Sequence, residues 1–310
     1  DNNMANVKLQ AGQTDVITGA GSGFGLELAR LAAAKGLNLV LTDVQQDALD
    51  AAVAELSAVG VQVAALRGDV SRAEDVQALA DLCMERFGAP HVVINNAGVA
   101  HGGLIWEHTQ RDWEWVLGVN LFGVVHGLRV FMPLMLEAAR QDPTWQGHMV
   151  NVASMAGLLN SPNMGAYNVS KHAVVSLSET LYQDLALVTD QVHASVLCPY
   201  FVPTGIHLSH RNRPAELRSE GKPTASQMIA QAMSTKAVTS GRVTAADTAQ
   251  LVFNAIEAGQ FYVYTHPQAL GMVQTRLEDV VQARNPTDPF AGKPELGEQL
   301  RKALREAMKD

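Results

Sequence analysis

The stretch SPNMGAYNVSKHAVV, residues 161–175, places a phenol, Tyr167, four residues before an ammonium, Lys171, among small and apolar neighbours. On a helix, residues i and i+4 share a face, so both side chains point into one space. A free phenol has a pKa near ~10, and trading its proton near neutral pH takes about 3–4 kcal/mol of help. A fixed ammonium about 4.5 Å away supplies about that much at an effective dielectric of about 20. The pair is thus sufficient in magnitude for acid/base work. The spacing alone is common on helices, so its meaning depends on what surrounds it.

Such a pair needs a frame. Short β-rich runs at 14–18, 37–43, 61–67, 91–95, 148–153, 192–198 and 261–265 alternate with helical segments at about 24–35, 46–58, 73–87, 110–139, 164–188 and 245–258. The strands are continuous apolar runs, the mark of strands covered on both faces. Seven strands alternating with helices predict an α/β fold, a doubly wound seven-stranded parallel sheet of Rossmann type. The catalytic domain is expected over 11–267. Residues 200–242, rich in Pro, Thr, Ser, Arg and His, read as a lid, because so long a connection is uncommon unless functional. Residues 268–310 read as a C-terminal helical extension, with helices near 268–283 and 295–308.

The segment TGAGSGFG, residues 18–25, follows the first strand and opens the first helix. Glycines there let the backbone turn tightly and approach a pyrophosphate, which then rests on helix N-terminal amides. Asp43 ends the second strand, where a carboxylate can hold ribose hydroxyls and repel a 2′-phosphate. No cation stands at Ser22 or Val44, so NAD is expected over NADP. A helix cap is the competing role for Asp43. Ser154 ends the fifth strand in NVASMAG, Asn120 lies in GVNLFG inside a helix, and NNAG ends the fourth strand.

TGAGSGFG, NNAG, Asn120, Ser154 and the Tyr167–Lys171 pair, five motifs in the family's order over roughly residues 12–265, resemble the short-chain dehydrogenase/reductase family in its single-domain branch. The resemblance implies a sheet ordered 3-2-1-4-5-6-7. It implies Tyr167 as general acid/base, Lys171 lowering the phenol pKa and holding the nicotinamide ribose, and Ser154 polarising the carbonyl. Asn120 would hold a water relaying protons from Lys171. Gly19, Ser22, Gly23, Phe24 and Gly25 would cradle the cofactor, with Asp69 and Val70 at the adenine and Asn96, Ala97 and Gly98 beside it. Pro199, Val202 and Thr204 would meet the nicotinamide end. The chain departs from the family pattern at Tyr200, usually Gly, and at Phe24, usually a small aliphatic residue.

The reaction implied is hydride transfer between NAD(H) and a bulky apolar or aromatic secondary alcohol or ketone. Met155, Leu158, Leu159, Asn160, Met164, Tyr200 and the lid hydrophobes would form the substrate wall. FYVYTHPQAL and the long tail resemble a subgroup acting on aryl-glycerol ethers; steroid, retinoid-like, acyl and aliphatic substrates stay open. The competing class is a non-catalytic dinucleotide-binding regulator or scaffold, against which Asn120, Ser154, Tyr167 and Lys171 stand together. A same-superfamily epimerase or dehydratase would show other glycine spacing.

The chain has 310 residues and a net charge of −8, which argues against nucleic-acid and anionic-membrane partners. Its two cysteines, Cys83 and Cys198, form neither a disulfide framework nor a metal quartet. Ten histidines show no zinc spacing, and no metal is expected. His101, His108, His207 and His210 lie where substrate contact is conceivable, but solvated loops are the simpler reading. Val116 to Ala139 is apolar, yet Asn120, His126, Arg129 and Pro133 interrupt it, favouring a buried helix over a membrane span. The polar opening DNNMANVKLQ reads as foreign residues ahead of a native start at Met4. Cytoplasmic location and a homodimer or homotetramer complete the expectations.

Overall fold

A computed structural model describes residues 7–309, so the expected start at Met4 lies outside the described residues. The strands are β1 Thr14–Thr18, β2 Asn38–Thr42, β3 Val63–Ala65, β4 Val92–Asn95, β5 Gly147–Val152, β6 Val192–Cys198 and β7 Tyr262–Tyr264. The helices are α1 Gly23–Ala34, α2 Gln46–Ser57, α3 Ala73–Arg86, α4 Gln110–Leu117, α5 Gly123–Gln141, α6 Gly165–Val188, α7 Ala225–Thr239, α8 Ala245–Ala258, α9 Leu270–Val281 and α10 Pro294–Ala307. All strand pairs are parallel, in the order β3-β2-β1-β4-β5-β6-β7.

Alternation along the strands feeds two cores. Ile17, Leu39, Leu41 and Ile94 bury against α1, α2 and α8. Val16, Val40, Val93 and Met149 bury on the other face with α3, α5 and α6. With both faces covered, β1, β2, β4 and β5 are buried along nearly their whole length, which is why those runs read as continuous. Asn95 donates to Asn151, and Asn151 to Ser178, so a buried hydrogen-bonded chain ties β4 and β5 to α6. A Cβ at Gly127 would lie 2.1 Å from Asn95 Oδ1; its absence lets α5 approach β4.

Two expectations change. The edge strands β3 and β7 are shorter than their apolar runs, because each has one neighbour only. The helix expected over 110–139 is broken into α4, a π-helical turn at Gly118–Phe122, and α5, which continues through Pro133. Gln110–Gln141 is long and apolar enough to cross a membrane by length and composition. Here Phe131 and Met135 are fully buried in the core beside the sheet.

The lid contains a 3-10 helix, Gly205–Asn212, a short turn, and α7. Thr224 opens α7 with a reciprocal capping box to Gln227, the physical content of TASQ in the sequence. The terminal helix α10 packs on α7 of the same chain.

Candidate active site

Loops from the carboxyl ends of β1, β2, β4, β5 and β6 open into one cavity of about 1670 Å³. This is where a parallel sheet exposes strand-end loops and helix N-termini together. The cavity exceeds the ~300–1,000 Å³ typical of a single small-ligand pocket, leaving room for a dinucleotide and a second molecule.

At one end lies the glycine loop. Gly19 holds φ 63°, and a Cβ there would lie 2.9 Å from Ala97 Cα. Gly23 holds φ 55° at the start of α1. Gly25 does not line the cavity: a Cβ there would sit 2.0 Å from Gly19 O, so this glycine seats α1 against the loop backbone. Asn96 and Ala97 amides both donate to Thr18 Oγ1, at 2.9 and 3.0 Å, and Asn96 Nδ2 donates to Thr18 O and Gly19 O. Thr18 and Asn96 thus lock the NNAG segment to the cradle. Thr18 was not singled out in the sequence, where it is one more β-branched strand residue.

Asp43 accepts from the Gly21 amide at 2.9 Å and from the Gln45 amide at 3.0 Å. The N-cap of α2 is Gln45 and no side chain caps that helix, so Asp43 turns the chain ahead of α2 without capping it, and it ties the cradle to β2 while facing the cavity. Asp69 accepts from the Ser71 amide and hydroxyl, and both Asp69 and Val70 line the cavity. So do Gly19, Ser22, Gly23, Phe24, Asn96, Ala97, Gly98, Pro199, Val202 and Thr204.

In the middle of the cavity wall stand Ser154, Tyr167 and Lys171. Ser154 follows β5; its Oγ accepts from the Ala156 amide at 3.0 Å and lies 3.5 Å from Pro199 O. Tyr167 is half-buried in the first turn of α6. Lys171 is only 3% exposed; its Nζ donates to Val152 O at 3.3 Å and sits 5.7 Å from the Tyr167 ring centre. Burial pushes the Tyr167 hydroxyl above the ordinary phenol range, and the Ser154 hydroxyl pulls it back in part. Burial lowers Lys171 to about 8. The expected depression of the phenol by the ammonium does not appear: loss of solvent raises the Tyr167 hydroxyl, and only Ser154 lowers it.

Lys171 yields a stability prediction. Its folded value lies below the unfolded one, so the unfolded chain binds the extra proton more readily. The cost of burial is complete below about pH 8 and is relieved as pH rises toward 10.5. Lys171→Met is expected to stabilise the apoprotein at pH 7 by on the order of 3 kcal/mol while abolishing turnover. Urea unfolding at pH 7 and pH 9.5 checks this: the gain should shrink at the higher pH.

Asn120 does not reach the cavity. From the π turn its Oδ1 accepts from the Val99 amide at 2.8 Å, and its Nδ2 donates to Val99 O and Ser170 Oγ at 2.9 and 3.0 Å. It clamps the NNAG segment to α6. Asn120 Oδ1 and Lys171 Nζ each lie 3.5 Å from where a Gly98 Cβ would be, so the two flank one point.

The lid is latched by Asp112, a residue the sequence did not single out. Its carboxylate is fully buried and receives Arg213 at 2.7 Å, with Ser219 also bonded and His101 at 3.4 Å. Burial pushes Asp112 up, but His101, the Thr109 amide and Arg213 together hold it well below the usual carboxylate range. Arg213 also lies 4.9 Å over the Trp115 ring. His101, His108 and Asp112 bring their ligand atoms within 4.8 Å of one another, but the guanidinium already occupies the charge a cation would need. Neither these histidines nor His207 and His210 line the cavity.

Of the expected substrate wall, Met155, Leu159, Asn160, Met164 and Tyr200 line the cavity and Leu158 does not. The lid adds Phe201, Ile206 and Met233, whereas Leu208 and Met228 face solvent. The C-terminal extension contributes an unforeseen wall: Met272, Thr275, Arg276, Asp279 and Val280, one stripe of α9, and Phe290 from the following loop. Asp279 secures that loop by accepting from the Thr287 amide and hydroxyl.

The geometry agrees with three comparisons. A family model described as short chain dehydrogenase matches residues 13–214. A crystal structure of a short chain dehydrogenase/reductase from Burkholderia phymatum in complex with NAD is 50% identical, with TM-score 0.88, covering 91% of this chain and 99% of that one. The CLA biosynthesis dehydrogenase/reductase of Lactiplantibacillus plantarum is 33% identical over 86% of this chain and 92% of its own. The C alpha-dehydrogenase of Sphingobium sp. strain SYK-6 is 29% identical over 94% and 92%. With a family model matched over residues 13–214, which span β1 to β6, the chain belongs to the short-chain dehydrogenase/reductase family of oxidoreductases.

Proposed function

We propose that this chain is an NAD-dependent dehydrogenase or reductase interconverting a bulky secondary alcohol and its ketone. The observation that carries the reading is one cavity with the glycine cradle at one end and Ser154, Tyr167 and Lys171 in its wall. The cradle fits a dinucleotide diphosphate: Gly19 and Gly23 take left-handed backbone, and α1 opens directly beneath. Bound NAD supplies the hydride-exchanging carbon and, when oxidised, a positive charge at the phenol.

The chain's own residues do the rest. Tyr167 gives or takes the proton at the substrate oxygen. Ser154, released from its long contact with Pro199 O, donates a hydrogen bond to that oxygen and orients it. Lys171, held by Val152 O, keeps a cation on the phenol side of the cavity and would hold the nicotinamide ribose of a bound cofactor. Asn120 and Lys171 flank Gly98, which supports a water-linked proton route through that point. The apolar methionines and aromatics of the wall suit a bulky alcohol, and the resemblance of FYVYTHPQAL and the tail to the aryl-glycerol ether subgroup favours an aromatic one.

Asp43 supports NAD over NADP. Arg67 approaches this end by donating to Val44 O, but it does not line the cavity. NADH is expected to bind at least about 10-fold more tightly than NADPH, a difference of about 1.4 kcal/mol, by fluorescence titration. Absorbance at 340 nm with NAD and a panel of benzylic, steroid and aliphatic secondary alcohols should show turnover of at least one bulky member. Tighter NADPH binding would overturn the role of Asp43. We further place the enzyme in the cytoplasm as a two-fold homo-oligomer; the exposed Leu187 and Val188, at 84% and 70%, and half-buried apolar residues of α5 and α6 support assembly.

A further inference from the structure

The 3-10 segment Gly205–Asn212 of the lid is tied down on both sides of β1. On one side Ala100, in the loop after β4, donates its amide to Ser209 Oγ at 3.0 Å. On the other, Gln45, the N-cap residue of α2 after β2, donates its carboxamide to Asn212 Oδ1 at 2.5 Å. β2 and β4 are the two neighbours of β1 in the sheet. A segment anchored over both loops therefore crosses the loop after β1, which is TGAGSGFG. The span is about two strand spacings, roughly 10 Å, well within the reach of four residues and their side chains.

Between the two anchors stands Arg211, which lines the cavity. Its Nη2 lies 3.1 Å from the Cβ position of Gly205, and Thr204, the residue before, lies 3.3 Å from the Cβ position of Gly23 at the start of α1. Arg213, two residues on, is paired with Asp112, whereas Arg211 pairs with no carboxylate among the described residues. The cradle itself holds no basic side chain, and the groove carries Asp43 and Asp69. A doubly anionic diphosphate laid there has the α1 amides below it and needs a cation above.

We propose that Arg211 is a cofactor-binding residue, a guanidinium carried on the lid that bonds the diphosphate of the dinucleotide from the side opposite α1. This rests on the reading of the groove as an NAD site. Guanidinium–phosphate bonds are charge-assisted and often bidentate, which fits a planar donor facing two phosphates.

The test is calorimetric or fluorescence titration of the full chain with NADH, ADP-ribose and adenosine, for the parent, Arg211→Gln and Arg211→Lys, with melting curves to confirm folding. Arg211→Gln should weaken NADH and ADP-ribose about 10- to 100-fold, the range of one charge-assisted hydrogen bond, and leave adenosine unchanged. Arg211→Lys should recover part of the loss. Parental affinity for NADH in the Gln variant overturns the proposal. So does an equal loss on adenosine, which would mean that Arg211 only shapes the lid. A parent protein that binds no NADH would instead remove the groove reading itself, and this proposal with it.

Discussion

Tyr167→Phe is expected to lower kcat by about 10²- to 10⁴-fold, the range for loss of a positioned general acid/base, while NADH affinity stays within about twofold. The substitution deletes one oxygen. Tyr167 sits in the first turn of α6, half-buried, and its ring packs whether or not the hydroxyl is present. Burial raises the hydroxyl's pKa and Ser154 lowers it in part, which sets the phenol oxygen beside Ser154. The substrate oxygen is then the group that completes the exchange. The measurement is paired: steady-state turnover by absorbance and NADH binding by fluorescence. Parental turnover in the Phe variant would remove Tyr167 from the chemistry; loss of both readouts would mean that the hydroxyl supports the cofactor site and does not serve the proton transfer alone.

Gly25→Val is expected to abolish measurable NADH binding and to destabilise the fold by about 3 kcal/mol or more, at the upper end for overpacking. A Cβ at this position meets Gly19 O at 2.0 Å and Asn96 Nδ2 at 2.7 Å. Neither neighbour can retreat. Gly19 is fixed against Ala97 in a left-handed conformation, and Asn96 is bonded to Thr18 and Gly19. The remaining escape is to lift α1 from the loop, which removes the helix N-terminus from the anion site. Gly25→Ala should show the same direction with a smaller loss. A thermal melt and an NADH titration read the two effects separately. A Val variant with parental NADH affinity would contradict this account of the cradle.

The parts of this site written in short stretches of sequence were legible there. TGAGSGFG between a strand and a helix, Asp43 at a strand end, and Tyr167 with Lys171 on one helical face all depend on local spacing. The sheet was legible because strands buried on both faces read as unbroken apolar runs. What depends on long-range contact was not. Gly25 reads as one more glycine of the cofactor cradle, and only the fold shows that it instead lets α1 rest on Gly19 O. Asn120 draws attention as a polar residue in an apolar helix, but its bonds to Val99 and Ser170 lie 21 and 50 residues away. The Asp112–Arg213 latch joins residues 101 positions apart; TQRD at 109–112 announces the capping box that Asp112 makes with Thr109 but not its distant partner. The tail reads as a helical extension with no place assigned to it; only the fold lays one stripe of α9 along the cavity.

The central claim is that a proton-exchanging phenol and a buried ammonium face a nicotinamide in this cavity. A crystal structure of the chain with NADH tests it most directly. The account predicts the nicotinamide ring beside Tyr167 and Ser154, with the Lys171 ammonium touching the adjoining ribose. A ring bound elsewhere, or a Tyr167 hydroxyl turned away from it, would contradict the account.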